Sequence, residues 1–248
     1  MKGFVIAWAV LALYADRAAA QSAVQTAPTA RTDTLRVTGE LGFVNTSGNT
    51  DLTTMNIGER VEWRDGRLTL GQTFSVVYGR SEGETTTSEW RASARGDVLL
   101  SGAVSAYGAL AFDRNRFAGL ARRFEEGAGI TVAVVRGVRS ELDLEGGISL
   151  VQQRPTAAVA DANFSAARAA GRYVHRLSDA AHLRQALEVL ANLQQTEDVR
   201  LNSETALVAP LSRRLALKVS YVIRFDNLPE PGFETTDRLL TTALQLTL

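Results

Sequence analysis

The chain has 248 residues, with 27 basic and 27 acidic side chains, two histidines and no cysteine. The absence of cysteine excludes a disulfide framework and a thiolate metal site. The balanced charge provides no basic block of the kind that binds nucleic acid. The sequence therefore predicts no cofactor, no metal ion and no nucleic-acid partner.

Residues 1–20 have the parts of a secretory signal peptide. Lys2 supplies the positive charge, Phe4–Leu13 forms a short apolar core, and an alanine-rich cleavage site follows. The apolar stretch is shorter than the roughly 20 residues that a spanning helix needs, so cleavage is favoured over a membrane anchor. Residues 21–34, rich in Ala, Thr and Gln, predict a flexible periplasmic segment.

From residue 35 onward, side chains alternate between apolar and polar in about twelve segments. A period of two indicates a strand with unlike faces. The segment lengths match the roughly 9–11 residues that a tilted strand needs to cross a bilayer, with short extensions. The predicted strands are 35–45, 51–63, 67–80, 85–100, 103–114, 123–136, 138–152, 163–177, 180–193, 199–210, 214–226 and 235–248.

The segments differ in how clearly they alternate. In the clearest one, the apolar positions are Leu215, Leu217, Val219, Tyr221, Ile223 and Phe225. Residues 51–63 are weaker, because Glu59 falls on the apolar face. Residues 180–193 also have apolar side chains at helical spacing, but a strand is favoured because the neighbouring segments are strands and the connections are short.

The connections alternate between tight and longer ones along the chain. The tight ones are 64–66, 101–102, 137, 178–179 and 211–213, and the longer ones are 46–50, 81–84, 115–122, 153–162, 194–198 and 227–234. Outer-membrane barrels have short periplasmic turns and longer outer loops. The sequence therefore predicts an all-β fold, a transmembrane antiparallel up-and-down β-barrel of about 12 strands over residues 35–248, in the bacterial outer membrane.

A soluble lipocalin-like barrel would show the same alternation with the apolar face inside. The membrane barrel is favoured because the strand number exceeds the roughly eight that give a barrel filled by side chains. The charged face should then line the lumen. The predicted lumen-lining residues are Arg36, Glu40, Glu89, Arg91, Arg95, Asp97, Arg139, Glu141, Asp143, Glu145, Arg172, Arg184, Glu188, Arg200, Glu204, Lys218 and Arg224.

The lumen has two interpretations. It is either a water-filled pore or a narrow interior braced by mutually paired ions. The second is favoured because the signs are balanced, whereas a selective pore usually has a constriction dominated by one sign.

Catalytic chemistry has little support in the sequence. His175 and His182 flank the turn at 178–179, and a hydrolase would need a serine and an orienting partner around one of them. A turn seldom holds such a triad, so histidines at the periplasmic rim are favoured. Solvated charge is also favoured over a calcium site for the acidic residues of the predicted outer loops, Glu82, Glu84, Glu125 and Glu126.

An ordered set of motifs resembles the salt-induced outer-membrane protein (YdiY-like) family, a family of unknown function. The matching segments span nearly the whole mature chain: Glu40–Thr50, Asp113–Leu120, Arg122–Arg123, Gly127–Gly129, Pro231–Gly232 and Asp237. The resemblance implies an outer-membrane barrel with no established activity and no catalytic residues to transfer.

The resulting functional prediction is a non-enzymatic barrel, either a narrow passive channel or a structural component of the envelope. A lipid- or envelope-modifying enzyme is the alternative. The expected partners are outer-membrane lipid and lipopolysaccharide, the barrel-assembly machinery, and small ions or solutes. Because the assembly machinery often recognises an aromatic last residue, Leu248 predicts less efficient assembly.

Overall fold

The computed structural model describes residues 34–46, 52–81, 83–116, 119–156, 161–178, 181–230 and 232–248. The predicted signal peptide, the segment 21–33 and the turn at 47–50 lie outside these residues. The described chain forms twelve strands: β1 Thr34–Thr46, β2 Leu52–Asp65, β3 Leu68–Ser81, β4 Glu84–Leu99, β5 Val104–Asn115, β6 Leu120–Arg136, β7 Ser140–Pro155, β8 Ala162–Arg176, β9 His182–Asn192, β10 Val199–Pro210, β11 Leu215–Asp226 and β12 Thr236–Thr247.

Each strand pairs antiparallel with its neighbours in the chain, and β1 pairs with β12 to close the barrel. The predicted strand number is therefore confirmed. Residues 182–192 form a strand, so the helical interpretation of this segment is wrong. Leu183, Leu187 and Ala191 share the outer face and Leu190 lies on the inner face, and pairing with β8 and β10 supplies the backbone hydrogen bonds.

The closing seam is short. Among the residues that the structure describes, four pairs join β1 to β12, from Thr38 opposite Thr247 to Leu41 opposite Leu244. Backbone hydrogen bonds between Val37 and Leu248 extend this ladder by one position. The last residue of the chain therefore helps to close the barrel.

The two ends of the barrel differ in their connections. At the turn end, where residues 34 and 248 lie, strands are joined by 66–67, 100–103, 137–139, 177–181 and 211–214. Gly66 allows the tightest of these turns, because its φ of 51° is a conformation that glycine adopts without steric cost. At the loop end the connections are 47–51, 82–83, 116–119, 156–161, 193–198 and 227–235.

The outer face of the barrel is apolar. Leu41, Phe43, Ile148 and Leu240 are 58%, 63%, 62% and 69% exposed, although they are large hydrophobic residues, while the charged side chains alternate with them on the inside. A soluble barrel places its apolar face inside, so this arrangement requires a hydrocarbon environment around the barrel. The predicted class, a transmembrane antiparallel β-barrel, is confirmed.

Among the described residues, no helix is long and apolar enough to span a membrane.

Candidate functional site

The candidate site is the charged interior of the barrel. Most of the predicted lumen-lining residues border its cavities: Glu40, Glu89, Arg91, Arg95, Asp97, Glu141, Asp143, Glu145, Arg172, Glu188, Arg200, Glu204, Lys218 and Arg224 line them or contact a residue that does. By strand alternation, Arg36 and Arg184 lie on the same inner face as Glu40 and Glu188. Arg139 is placed elsewhere. It is exposed in the turn between β6 and β7, because β7 begins only at Ser140.

The described part of the chain encloses a row of three cavities in the barrel interior. A turn-end cavity of about 240 Å³ includes Leu99 and Gly102, a central cavity has about 390 Å³, and a loop-end cavity of about 340 Å³ includes Asp113 and Arg123. Neighbouring cavities share lining residues, among them Thr73, Arg91, Arg95, Glu145, Arg168 and Arg172. The cavities are therefore separated by side chains and not by backbone.

Glu145 of β7 is the centre of the interior charge network. Its side chain is only 4% exposed and accepts hydrogen bonds from Arg95 Nη1 at 2.9 Å, Arg168 Nη1 at 2.8 Å and Arg172 Nη2 at 3.5 Å. Arg168 also pairs with Glu188 at 2.7 Å. Three cations from β4 and β8 therefore converge on one carboxylate of β7.

Tyr107 of β5 is packed into this network. The Arg95 guanidinium lies 4.1 Å from its ring centroid, and Arg168 donates a hydrogen bond to its hydroxyl at 2.9 Å. The ring fits because the wall beside it carries glycine. A Cβ at Gly147 would be 2.6 Å from the Tyr107 hydroxyl, and one at Gly129 would be 2.7 Å from it.

One ion pair crosses the lumen. Arg224 Nη1 of β11 lies 2.6 Å from Glu89 Oε2 of β4. In the strand order, β3, β2, β1 and β12 separate these strands on one side, and β5 to β10 separate them on the other. Glu89 also pairs with Arg91 at 2.7 Å, and Arg91 reaches Asp113 at 2.8 Å. These pairs form a strut between nearly opposite walls.

The loop between β11 and β12 covers part of the loop end. Glu230 accepts a hydrogen bond from Gln153 Nε2 of β7 at 3.1 Å, and Arg123 of β6 donates to Gln153 Oε1 at 2.8 and 3.0 Å. Phe233 packs on Gly119, where an added Cβ would be 2.8 Å from its ring. The loop is thus fastened to the opposite side of the barrel mouth.

Several interior residues were missing from the sequence prediction. Arg60, Tyr107, Arg123 and Arg168 all line cavities. Arg60, Glu62 and Arg64 do alternate in the sequence, but Glu59 on the opposite, outward face obscures the pattern of β2. Nothing in the local sequence around Tyr107 indicates its role, because its partners come from β4, β6, β7 and β8.

The placement of Glu125 and Glu126 in an outer loop is wrong. Both glutamates lie within β6, which begins at Leu120, and the predicted strand 123–136 already included them, so the loop placement is inconsistent with that strand. Glu125 points inward and accepts a hydrogen bond from Ser149 at 2.7 Å, whereas Glu126 is exposed on the outer face. Glu84 begins β4, and Glu82 lies outside the described residues.

The two histidines lie on different faces of the turn end. His175 Nδ1 is 2.9 Å from Ser140 Oγ and 3.3 Å from the Tyr173 hydroxyl, on the outer face. His182 is buried on the inner face, 5% exposed. Ser178 Oγ accepts a hydrogen bond from the Ala181 amide, and Asp179 lies outside the described residues. The two imidazoles therefore lie on opposite faces of the sheet.

A family model described as "Protein of unknown function, DUF481" matches residues 39–247. The chain belongs to this family. No curated protein matches the chain.

The chain is similar to solved outer-membrane proteins at low sequence identity. The COG4313 outer membrane channel from Pseudomonas putida F1 is 14% identical, with 90% of this chain and 97% of the other covered and a TM-score of 0.48. The NanC porin is 8% identical, with 86% and 98% covered and a TM-score of 0.47. The translocator domain of autotransporter NalP from Neisseria meningitidis is 14% identical, with 86% and 87% covered and a TM-score of 0.45.

Proposed function

We propose that this DUF481 protein is a narrow passive channel for ions and small solutes, of the salt-induced, YdiY-like type. The observation that supports it is the row of three cavities inside a closed barrel, separated by side chains, most of which are ion-paired. Side chains can move apart rapidly and open a path between the cavities, whereas a wall of backbone could not. Charged side chains in the wall can take the place of the water molecules that surround an ion while it passes.

The proposed orientation follows from the connections. The turn end faces the periplasm and the loop end faces outward, with residues 1–20 cleaved after export. Lipid and lipopolysaccharide surround the apolar outer face, and the barrel-assembly machinery inserts the chain. We propose that the protein catalyses no reaction. If the wild type turned over lipid, and both His175→Ala and His182→Ala abolished that turnover, the enzyme alternative would be supported instead.

Single-channel recording in planar bilayers tests the channel. The double variant Glu89→Ala with Arg224→Ala removes both charges of the cross-lumen strut and widens the passage, while Arg91 keeps its pair with Asp113. We expect the wild type to conduct in small discrete steps and the double variant to conduct at least about two-fold more.

Arg154→Gln is the matched control. Arg154 pairs with Asp161 at 2.7 Å, but both side chains are exposed at the loop end, outside the cavities. The hydrogen bonds from Arg154 hold the pKa of Asp161 below its usual range, so this pair stays ionised at neutral pH. The conductance of Arg154→Gln should match that of the wild type. If the wild type and the double variant are both electrically silent, the protein is a sealed structural barrel and the channel is refuted.

A further inference from the structure

One cation of the central cavity is distinctive because it has no ion-pair partner. Of the six basic residues that line this cavity, five pair with carboxylates: Arg91 with Glu89 and Asp113, Arg168 with Glu145 and Glu188, Arg172 with Glu145, Lys218 with Glu40 and Glu204, and Arg224 with Glu89. Arg60 of β2 has no carboxylate within 4 Å among the described residues. Its Nε and Nη1 are buried without a hydrogen-bond partner there.

The direct cross-strand neighbours of Arg60 carry hydroxyl groups. The register of β1, β2 and β3 places Thr38 and Thr73 beside it on the inner face. Both line the same cavity, and Thr38 is 2% exposed. The acidic residues of this face lie further away: Glu62 is two residues along β2, and Glu40 and Glu204 are both held by Lys218 at 3.0 Å. Buried N–H groups without a hydrogen-bond partner are costly, and an anion in the cavity can accept from Nε and Nη1 of Arg60.

The remaining charges of the central cavity are matched, so Arg60 itself, and not an overall excess of positive charge, favours an anion. The cavity is lined by six basic residues and four inward-facing acidic ones, Glu40, Glu145, Glu188 and Glu204. Glu89 and Asp113 also pair with its cations. Six carboxylates therefore match the five paired cations, and Arg60 is the cation left without an ion pair among the described residues.

We propose that the central cavity binds a small oxyanion, a carboxylate or a phosphate, with Arg60 as its main cationic ligand and the Thr38 hydroxyl as a neighbouring donor. Guanidinium groups bind both anions through charge-assisted hydrogen bonds. A cavity of about 390 Å³ has room for a small organic or inorganic anion with some water. This proposal deepens the channel function, because it names the class of solute that the channel prefers.

Binding is measured first without any current, so that it does not depend on conduction. The refolded mature protein is heated in detergent at constant ionic strength, with KCl replaced stepwise by potassium phosphate or by potassium acetate, and tryptophan fluorescence gives the unfolding midpoint. A ligand that binds the folded state raises the midpoint as its concentration exceeds the Kd. We expect a saturable rise for the wild type, for Arg60→Lys and for the exposed control Arg154→Gln, and none for Arg60→Gln. Phosphate and acetate acting separately show which oxyanion is preferred.

Arg60→Gln should fold normally, since Arg60 has no ion pair to lose. Two results would overturn the site. One is an unfolding midpoint that rises equally in Arg60→Gln and the wild type; the other is a wild type whose midpoint rises with neither anion.

Reversal potentials in a KCl gradient give the second readout. We expect the ratio of anion to cation permeability to fall about two- to ten-fold in Arg60→Gln, since one unit of charge is removed from a partly screened lumen, and to be kept in Arg60→Lys. A wild type that binds oxyanion in the thermal assay but never conducts retains the site and refutes the channel. A wild type that conducts without binding either anion, and whose selectivity is unchanged in Arg60→Gln, retains the channel and refutes the site.

Discussion

Replacing Glu145 with glutamine removes the carboxylate that three arginines share. The substitution keeps the size of the side chain, so it tests charge and not packing. Arg95, Arg168 and Arg172 would then face a neutral amide, in a position where the side chain is only 4% exposed. The three guanidinium groups then repel one another, because the carboxylate that offset their positive charges is gone.

The expected loss can be estimated from the remaining contacts. Removing one partner of a buried ion pair costs about 3–5 kcal/mol. Arg95 keeps Asp97 at 2.7 Å, and Arg168 keeps Glu188 at 2.7 Å. The loss should therefore be near the lower limit, about 3 kcal/mol. With a urea dependence of about 2 kcal/mol per molar, this corresponds to a midpoint lowered by about 1.5 M.

Urea unfolding of the refolded barrel, followed by the fluorescence of Trp63 and Trp90, measures this loss. Glu141→Gln is the matched control on the same strand. Glu141 pairs with Arg176 at a distance of 3.8 Å, and its side chain is 32% exposed, so its loss should cost less than about 1 kcal/mol. If Glu145→Gln shifts the midpoint no more than Glu141→Gln does, the charge network does not brace the barrel.

Two further substitutions test the packing of the interior and of the mouth. Gly147→Ala should lower the free energy of unfolding by about 1–3 kcal/mol, since its Cβ would lie 2.6 Å from the Tyr107 hydroxyl and 2.4 Å from a backbone oxygen of β6. Gly146→Ala, where nothing lies within 4 Å, should be close to neutral in the same urea titration; equal effects would disprove the close packing. Phe233→Ala should release the β11–β12 loop and speed its cleavage by proteinase K, whereas Leu228→Ala, an exposed residue of the same loop, should leave the cleavage rate unchanged. Cleavage at the wild-type rate in Phe233→Ala would show that the loop is not fastened by this contact.

The sequence by itself determined the approximate strands, their number and the face of most predicted lumen residues, although Arg139 lies in a turn and Arg60, Arg123 and Arg168 were missed. In 214–226, for example, the alternation of Leu217 and Val219 with Lys218 and Ser220 admits one assignment of faces, because side chains of a strand point alternately to its two sides. The tight turns and longer loops then set the order of the antiparallel neighbours. Local rules were weaker where the alternation failed, as at Glu59, and where a strand ran beyond its predicted segment, as at Leu120, where β6 begins three residues before the predicted start.

Only the tertiary structure decided which interior charges meet. Glu89 and Arg224 are 135 residues apart in the chain, and Glu40 and Lys218 are 178 apart, so no local spacing relates them. Closing the sheet brings opposite walls within reach of long side chains, and the pairs that form then depend on height and register around the whole barrel. The same closure places Arg60 beside the Thr38 and Thr73 hydroxyls, with no carboxylate within 4 Å among the described residues, and the proposed oxyanion site rests on this arrangement.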